Sequence, residues 1–215
     1  MKNPLLLIAF LFAFNAGLNA QKESEGVYLS ADNFINGKIS YSNDMPGNKY
    51  QLRLNEFLNS ASIKVITRDT TVTLAKDEIF GYRDKKGTNY RFYKKIVFEI
   101  LNPAEHLLLY KNTAEEGSLK NKTLVTNYYF SETAGSPIYP LTKQYLSMVF
   151  SNDIQFVDLL NLYFHFDNEL TAYDGANKIY FLNHIYQESK IENEQKRIKI
   201  NEYESKCSIF NDNSN

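Results

Sequence analysis

Cysteine is almost missing from this chain: Cys207 stands alone among 215 residues. One thiol cannot close an internal disulfide, so an exported chain of this composition must be stabilised by packing, which its length permits. Cys207 sits in a polar stretch and is expected to be an unpaired bystander. Tryptophan is absent, and histidine occurs only 3 times. His106, His165 and His184 are far apart and show no metal-ligand spacing, and no H-E-x-x-H or paired-cysteine pattern exists. No metal and no cofactor is therefore expected. A G-x-S-x-G turn that would point to a nucleophile is missing, and so is a glycine-rich phosphate loop. Asp77-Glu78 and Glu115-Glu116 are adjacent in sequence and read as solvated turn charges, so no catalytic residue is assigned. Neither sign of charge dominates: 24 basic against 25 acidic residues give −1, which argues against a nucleic-acid partner.

What the chain has in quantity is aromatic residues, 16 Tyr and 15 Phe, which favour half-buried strands. Met1 to Ala20 reads as a secretory signal. Lys2 gives the positive start, Pro4 to Phe14 the apolar run, and Asn15 to Ala20 the small residues, with cleavage between Ala20 and Gln21. The apolar run is shorter than a membrane span, so no span is expected after signal removal. The expected location is outside the cytoplasm: periplasm, outer surface or medium.

The clearest local pattern is Glu78 to Tyr93, EIFGYRDKKGTNYRFY, a β-hairpin. Asp84-Lys85-Lys86-Gly87 has the composition of a type I turn closed by a left-handed glycine. If Asp84 pairs with Thr88, counting outward sets Arg83 opposite Asn89, Tyr82 opposite Tyr90, Gly81 opposite Arg91 and Phe80 opposite Phe92. Side chains alternate between faces, so the Tyr82/Tyr90 and Phe80/Phe92 pairs are expected on the core side. Arg83, Arg91 and Tyr93 fall on the other face and form the candidate binding surface. Gly81 opposite Arg91 leaves room there for a planar group or another backbone. On this reading Gly87→Val, which needs positive φ, is expected to cost more stability than Arg91→Ala.

Either side of the hairpin, short strands follow one another. Gly26 to Leu29 is extended, and Ser30 can cap a helical turn stopped near Gly37. Tyr50 to Leu54, Ile63 to Thr67 and Thr71 to Leu74 precede the hairpin; Ile96 to Leu101, His106 to Tyr110 and Leu124 to Phe130 follow it, with Thr113 to Lys122 as a polar loop. Near Pro140 the period changes. Thr142 and Asp153 can cap two helices, and Asp174 or Gly175 a third carrying Leu182, Ile185 and Tyr186 on one stripe. The fold class is α+β: an antiparallel β-meander or small open barrel in the N-terminal two-thirds, packed with C-terminal helices. The expected organisation is a signal peptide over 1–20, one α+β domain over 21–186 (sheet about 26–130, helices about 141–186), and a polar, disordered tail over 187–215.

FGYRDKKGTNYRFY (Phe80 to Tyr93), GVYLSADNFINGK (Gly26 to Lys38), PLT (Pro140 to Thr142) and LTAYD (Leu170 to Asp174) together resemble a family of uncharacterised secreted proteins of Bacteroidota. The resemblance implies an exported bacterial protein and supplies no reaction. Two functions follow as expectations. The first is a non-catalytic envelope or secreted protein that binds a polymer, a glycan or another protein through an exposed sheet face. The second is an extracytoplasmic hydrolase of cell-wall or glycan material, with carboxylates gathered where sheet and helices meet.

Overall fold

The computed structural model describes residues 25–42, 50–54, 60–118 and 121–212. The signal segment, with Ala20 and Gln21, lies outside the described residues, as does the side chain of Cys207. Chain order is β1 (Gly26–Tyr28), α1 (Ala31–Ile35), β2 (Gln51–Arg53), β3 (Ser62–Ile66), β4 (Thr71–Ala75), β5 (Gly81–Arg83), β6 (Asn89–Tyr93), β7 (Ile96–Ile100), β8 (Leu108–Ser118), β9 (Asn121–Ser131), β10 (Tyr139–Pro140), α2 (Lys143–Val149), α3 (Ile154–Tyr163), a 3-10 turn (Asp167–Thr171), β11 (Tyr173–Asp174), β12 (Ile179–Tyr180) and α4 (Phe181–Asp212). The fold is α+β, an antiparallel, meander-like sheet curled into a half-barrel and followed by helices. Seven strands make that sheet in the order β1-β5-β6-β7-β8-β9-β10. From β5 onward spatial order follows chain order, because each strand turns back on its neighbour through a short connection. β2, β3 and β4 form a separate three-stranded sheet.

The hairpin has the register that counting gave: Arg83 opposite Asn89, Tyr82 opposite Tyr90, Gly81 opposite Arg91. Asp84 N–H donates to the Thr88 carbonyl at 3.0 Å, and the Asp84 carboxylate accepts from the N–H groups of Lys86 (2.8 Å) and Thr88 (2.9 Å). Gly87 sits at φ 84°, which a β-branched residue would adopt only under strain. The rings of Tyr82 and Tyr90 stack at 4.7 Å. Phe80 departs from the expected face. It precedes the regular strand and stacks on Phe34 of α1 at 4.7 Å, whereas Phe92 packs with Tyr82 on the opposite side.

Most of both faces of the sheet is covered, and this changes which residues are exposed. On one face, α1 and the 132–138 turn enclose Tyr28, Phe80, Phe98, Ile100 and Tyr110. On the other, β3 and its neighbours cover Val27, Tyr82 and Phe92, while α2, α3 and α4 cover Leu109 and Phe130. Each fully buried large apolar side chain contributes about 1.5–3 kcal/mol, so these layers, rather than cross-links, hold the fold.

Three of the four expected caps hold: Ser30 accepts from Asn33 N–H (3.1 Å), Thr142 from Tyr145 N–H (3.2 Å) and Asp153 from Phe156 N–H (3.1 Å). The last helix differs from expectation at both ends. Asp174 opens no helix; it accepts from the N–H groups of Ala176 and Asn177 inside the β11-β12 turn, and the helix begins at Phe181. Nor does it fray after Gln187, since α4 continues to Asp212. Its third and fourth turns are polar for a reason that composition hides: Lys190 and Asn193 donate to the carboxylate of Asp153 at the start of α3, while the Ser189 hydroxyl beside them donates to the Tyr186 carbonyl at 2.8 Å. The expected loop at Thr113 to Lys122 is likewise strand. β8 and β9 pair as far as Ser118 and Asn121. The β8 half of the arm is mostly polar, with Asn112, Thr113, Glu115, Glu116 and Ser118, so its sequence has the composition of a loop although the backbone is paired.

Candidate functional site

Arg83, Arg91 and Tyr93 share one face of the sheet as expected, but they do not form an open surface. Arg91 is only 5% exposed. Its guanidinium donates to Tyr110 Oη (3.0 Å), Ser131 Oγ (3.3 Å) and the Ser136 carbonyl (2.8 Å), with the rings of Phe80, Tyr93 and Tyr110 5.3–5.9 Å away. The 132–138 turn closes over this face, so Arg91 pins that turn to the sheet. Burial pushes the Tyr110 hydroxyl above its ordinary pKa despite the opposing Arg91 charge, so it stays a neutral partner. Arg83 is half-buried: its Nε donates to Asn89 Oδ1 at 3.0 Å, beside the Tyr28 hydroxyl that donates to the same atom at 2.9 Å. Tyr93 is half-buried beside Arg91. The space beside Gly81 is taken by backbone, because a Cβ there would collide with the Tyr90 carbonyl.

The opposite face has an uncovered strip between the β2-β3-β4 layer and the helices. Register carries one row straight across four strands: Tyr90 opposite Glu99, Glu99 opposite Lys111, Lys111 opposite Tyr128. Three interstrand steps make the row roughly 14 Å long. At its centre Lys111 Nζ and Glu99 Oε1 are 2.8 Å apart. That hydrogen bond raises the Lys111 pKa against a smaller opposing effect of burial, so the ammonium stays charged. Tyr128, at one end, is 40% exposed. Tyr180 and Tyr173 of the β11-β12 hairpin stand beside it with their rings 5.0 Å apart. Burial, then the neighbouring Tyr128 and Tyr173, raise the Tyr180 hydroxyl. A cleft of about 620 Å³ lies along this strip, with Lys76, Tyr90, Lys95, Glu99 and Lys111 in its walls. Lys94 and Lys95 form the two-residue β6-β7 turn at φ 50° and 68°, each at a cost of about 1–2 kcal/mol against the right-handed region.

Glu105, His106, Glu132, Tyr186 and Lys190 line a second pocket of about 640 Å³ where the sheet meets α4. This is where a hydrolase would gather its carboxylates, and the side chains there are largely committed. Glu105 accepts from Gln187 Nε2 at 2.7 Å. Asp153, on the far side of Lys190, is pulled upward by burial. Hydrogen bonds from Lys190, the Phe156 N–H and Asn193 outweigh that and hold its carboxyl below the ordinary range. His165 and His184 lie elsewhere, and no cluster of three or more metal-binding side chains occurs among the described residues.

The Asp153 arrangement predicts an acid-side instability. A carboxyl whose folded pKa is depressed stabilises fully above its unfolded value, about 3.9, and loses that stability as pH falls through the folded value. Asn can still cap α3 but carries no charge for Lys190. Asp153→Asn should therefore be less stable than the parent in urea at pH 7, with the difference shrinking by pH 3. A difference that stays constant would mean the charge is not what ties α4 to α3.

Compared with family models, curated proteins and solved structures, the chain finds no match in any of the three. Among the described residues, no helix is long and apolar enough to cross a membrane.

Proposed function

We propose that the protein is an exported, non-catalytic envelope or secreted protein that binds an extended glycan across the uncovered strip of its sheet. The observation that carries this reading is the Tyr90, Glu99, Lys111, Tyr128 row with Tyr173 and Tyr180 beside it. Tyr128 and Tyr173, the exposed rings of the group, offer apolar faces to sugar C–H groups and keep a hydroxyl for hydrogen bonding, at little cost in side-chain entropy, with Tyr90 and Tyr180 half-buried beside them. The central ion pair supplies both donors and acceptors for hydroxyl-rich ligands. Export is supported by the Met1 to Ala20 signal pattern of the sequence.

The competing reading, an extracytoplasmic hydrolase, has the Glu105, His106 and Glu132 pocket on its side. A glycosidase needs a carboxylic acid of raised pKa, and the displaced carboxyl nearest this pocket, Asp153, moves the other way.

The test is affinity electrophoresis of the chain from Gln21 onward through gels containing neutral or acidic polysaccharides. At least one polysaccharide is expected to retard the parent. Tyr128→Ala with Tyr180→Ala should weaken that retention at least about tenfold, each ring being worth about 1 kcal/mol. Retention by no polysaccharide, or full retention of the double variant, would reject the reading; release of reducing ends that Glu132→Gln abolishes would establish the hydrolase.

A further inference from the structure

We propose that two copies of this chain pair through the free edge of β9, Lys122 to Thr126, as an antiparallel, two-fold extension of the sheet centred on Leu124. The inference is independent of the glycan reading. β7 pairs with β8 only at Glu99 with Lys111 and Ile100 with Tyr110, and β10 pairs with β9 only at Tyr139 with Phe130 and Pro140 with Tyr129. β8 and β9 nevertheless stay paired, without a bulge, out to Ser118 and Asn121, so they leave the sheet as a two-stranded arm. Such a ribbon standing alone is marginal in water. Among the described residues no strand lies along β9 from Lys122 to Thr126. That edge runs through Thr123-Leu124-Val125-Thr126, mostly β-branched, with no proline to blunt it. The outermost strands of the same sheet are blunted. Pro140 lies in the short β10, and Val27 of β1 exchanges backbone bonds with Ser40.

Register decides which backbone groups face outward. Leu141 N–H donates to the Tyr128 carbonyl at 2.9 Å, so the polar groups of Tyr128 point to the β10 side. Direction alternates along a strand, so Thr126, Leu124 and Lys122 present theirs on that same side, beyond the end of β10. Setting Leu124 against Leu124 of a second copy puts Lys122 opposite Thr126 on either side, and all three residues then exchange both backbone bonds. The side chains agree with this alignment. Leu124, 70% exposed, covers its own counterpart. Lys122 meets a threonine rather than another ammonium and keeps its pair with Glu115 at 2.6 Å. The β8 flank of the arm suits a second copy poorly. Leu101 N–H donates to the Leu109 carbonyl, so the odd residues face outward there. They centre on Glu115, and self-pairing about it would set carboxylate against carboxylate. A two-fold contact uses the same edge on both copies, so pairing stops at the dimer.

The experiment is sedimentation equilibrium of the chain from Gln21 onward, which should show a concentration-dependent dimer. Leu124→Pro removes an outward N–H and spares the odd residues of β9 that bond to β8, so the arm keeps its ladder. Leu124→Lys sets two ammonium groups against each other at the axis. Each should weaken dimerisation at least tenfold while the circular dichroism of the parent is retained. Ile154→Lys, at an exposed position of α3, should leave the dimer unchanged. Cross-linking reads the register in a chain whose arm is intact. In a Cys207→Ser background, a short bismaleimide should join Leu124→Cys chains, whose α carbons would lie about 5.5 Å apart across the axis. Thr126→Cys chains, about 14 Å apart in this alignment, should be joined at least tenfold less. A parent that stays monomeric at millimolar concentration would overturn the proposal. So would a dimer that survives Leu124→Pro and Leu124→Lys, one that Ile154→Lys dissolves, or equal cross-linking at positions 124 and 126.

Discussion

Arg91→Ala is expected to destabilise the fold by about 3 kcal/mol or more, measured as a lower urea midpoint at unchanged slope. Truncation leaves Tyr110 Oη, Ser131 Oγ and the Ser136 carbonyl without their cationic donor beneath a closed layer, and it removes the group on which three aromatic rings converge. It also releases the 132–138 turn from the sheet. Arg91→Lys should recover less than half the loss, because one ammonium cannot span acceptors placed for a planar fork. Gly87→Val, by comparison, should cost about 1–3 kcal/mol, the price of a β-branched residue at φ 84°. The order of the two is therefore the reverse of the one the sequence suggests. If Gly87→Val were the more damaging, Arg91 would not be the pin described here.

Gly81→Val is the second large effect. A Cβ at this position would overlap the Tyr90 carbonyl and sit 3.0 Å from Arg91 Cα. Both obstacles are backbone, so relief requires moving β5 away from β6. The displacement would disturb the Tyr82/Tyr90 stack on one face and the Arg91 cage on the other. A loss of about 3 kcal/mol or more is expected. Gly135→Ala is the matching control: no described atom lies within 4 Å of a Cβ there, and the change should stay within about 0.5 kcal/mol. Similar melting temperatures for the Gly81 and Gly135 variants would refute the close approach of the two strands.

The hairpin register was legible because Asp84 and Gly87 announce the turn and the rest is counting. The caps at Ser30, Thr142 and Asp153 were legible because capping is a local hydrogen bond. What covers each face was not local. Alternation assigns Arg91 to a side of the sheet, but only the tertiary return of residues 132–138 makes that side an interior. Arg91 is the case in point, since an arginine on an alternating strand reads as solvent-facing unless its acceptors are known, and here they come from Tyr110, Ser131 and Ser136. The row of Tyr90, Glu99, Lys111 and Tyr128 was missed for a related reason. Register could be carried from Tyr90 to Glu99 only by recognising Lys94-Lys95 as a two-residue turn, and those residues carry none of the usual turn chemistry. The continuation of α4 past Gln187 was hidden because Lys190 and Asn193 are polar for the sake of one buried carboxylate.

The central claim is that ligand meets this protein on the uncovered strip of the sheet. Amide hydrogen exchange with and without a polysaccharide that retards the chain addresses it most directly. Protection is predicted over Ile96–Ile100, the first half of β8, and Tyr173 to Tyr180, with little change at Asn183 to Asn193. Protection centred on the start of α4 and on Glu105 and His106, with the strip unaltered, would contradict the account.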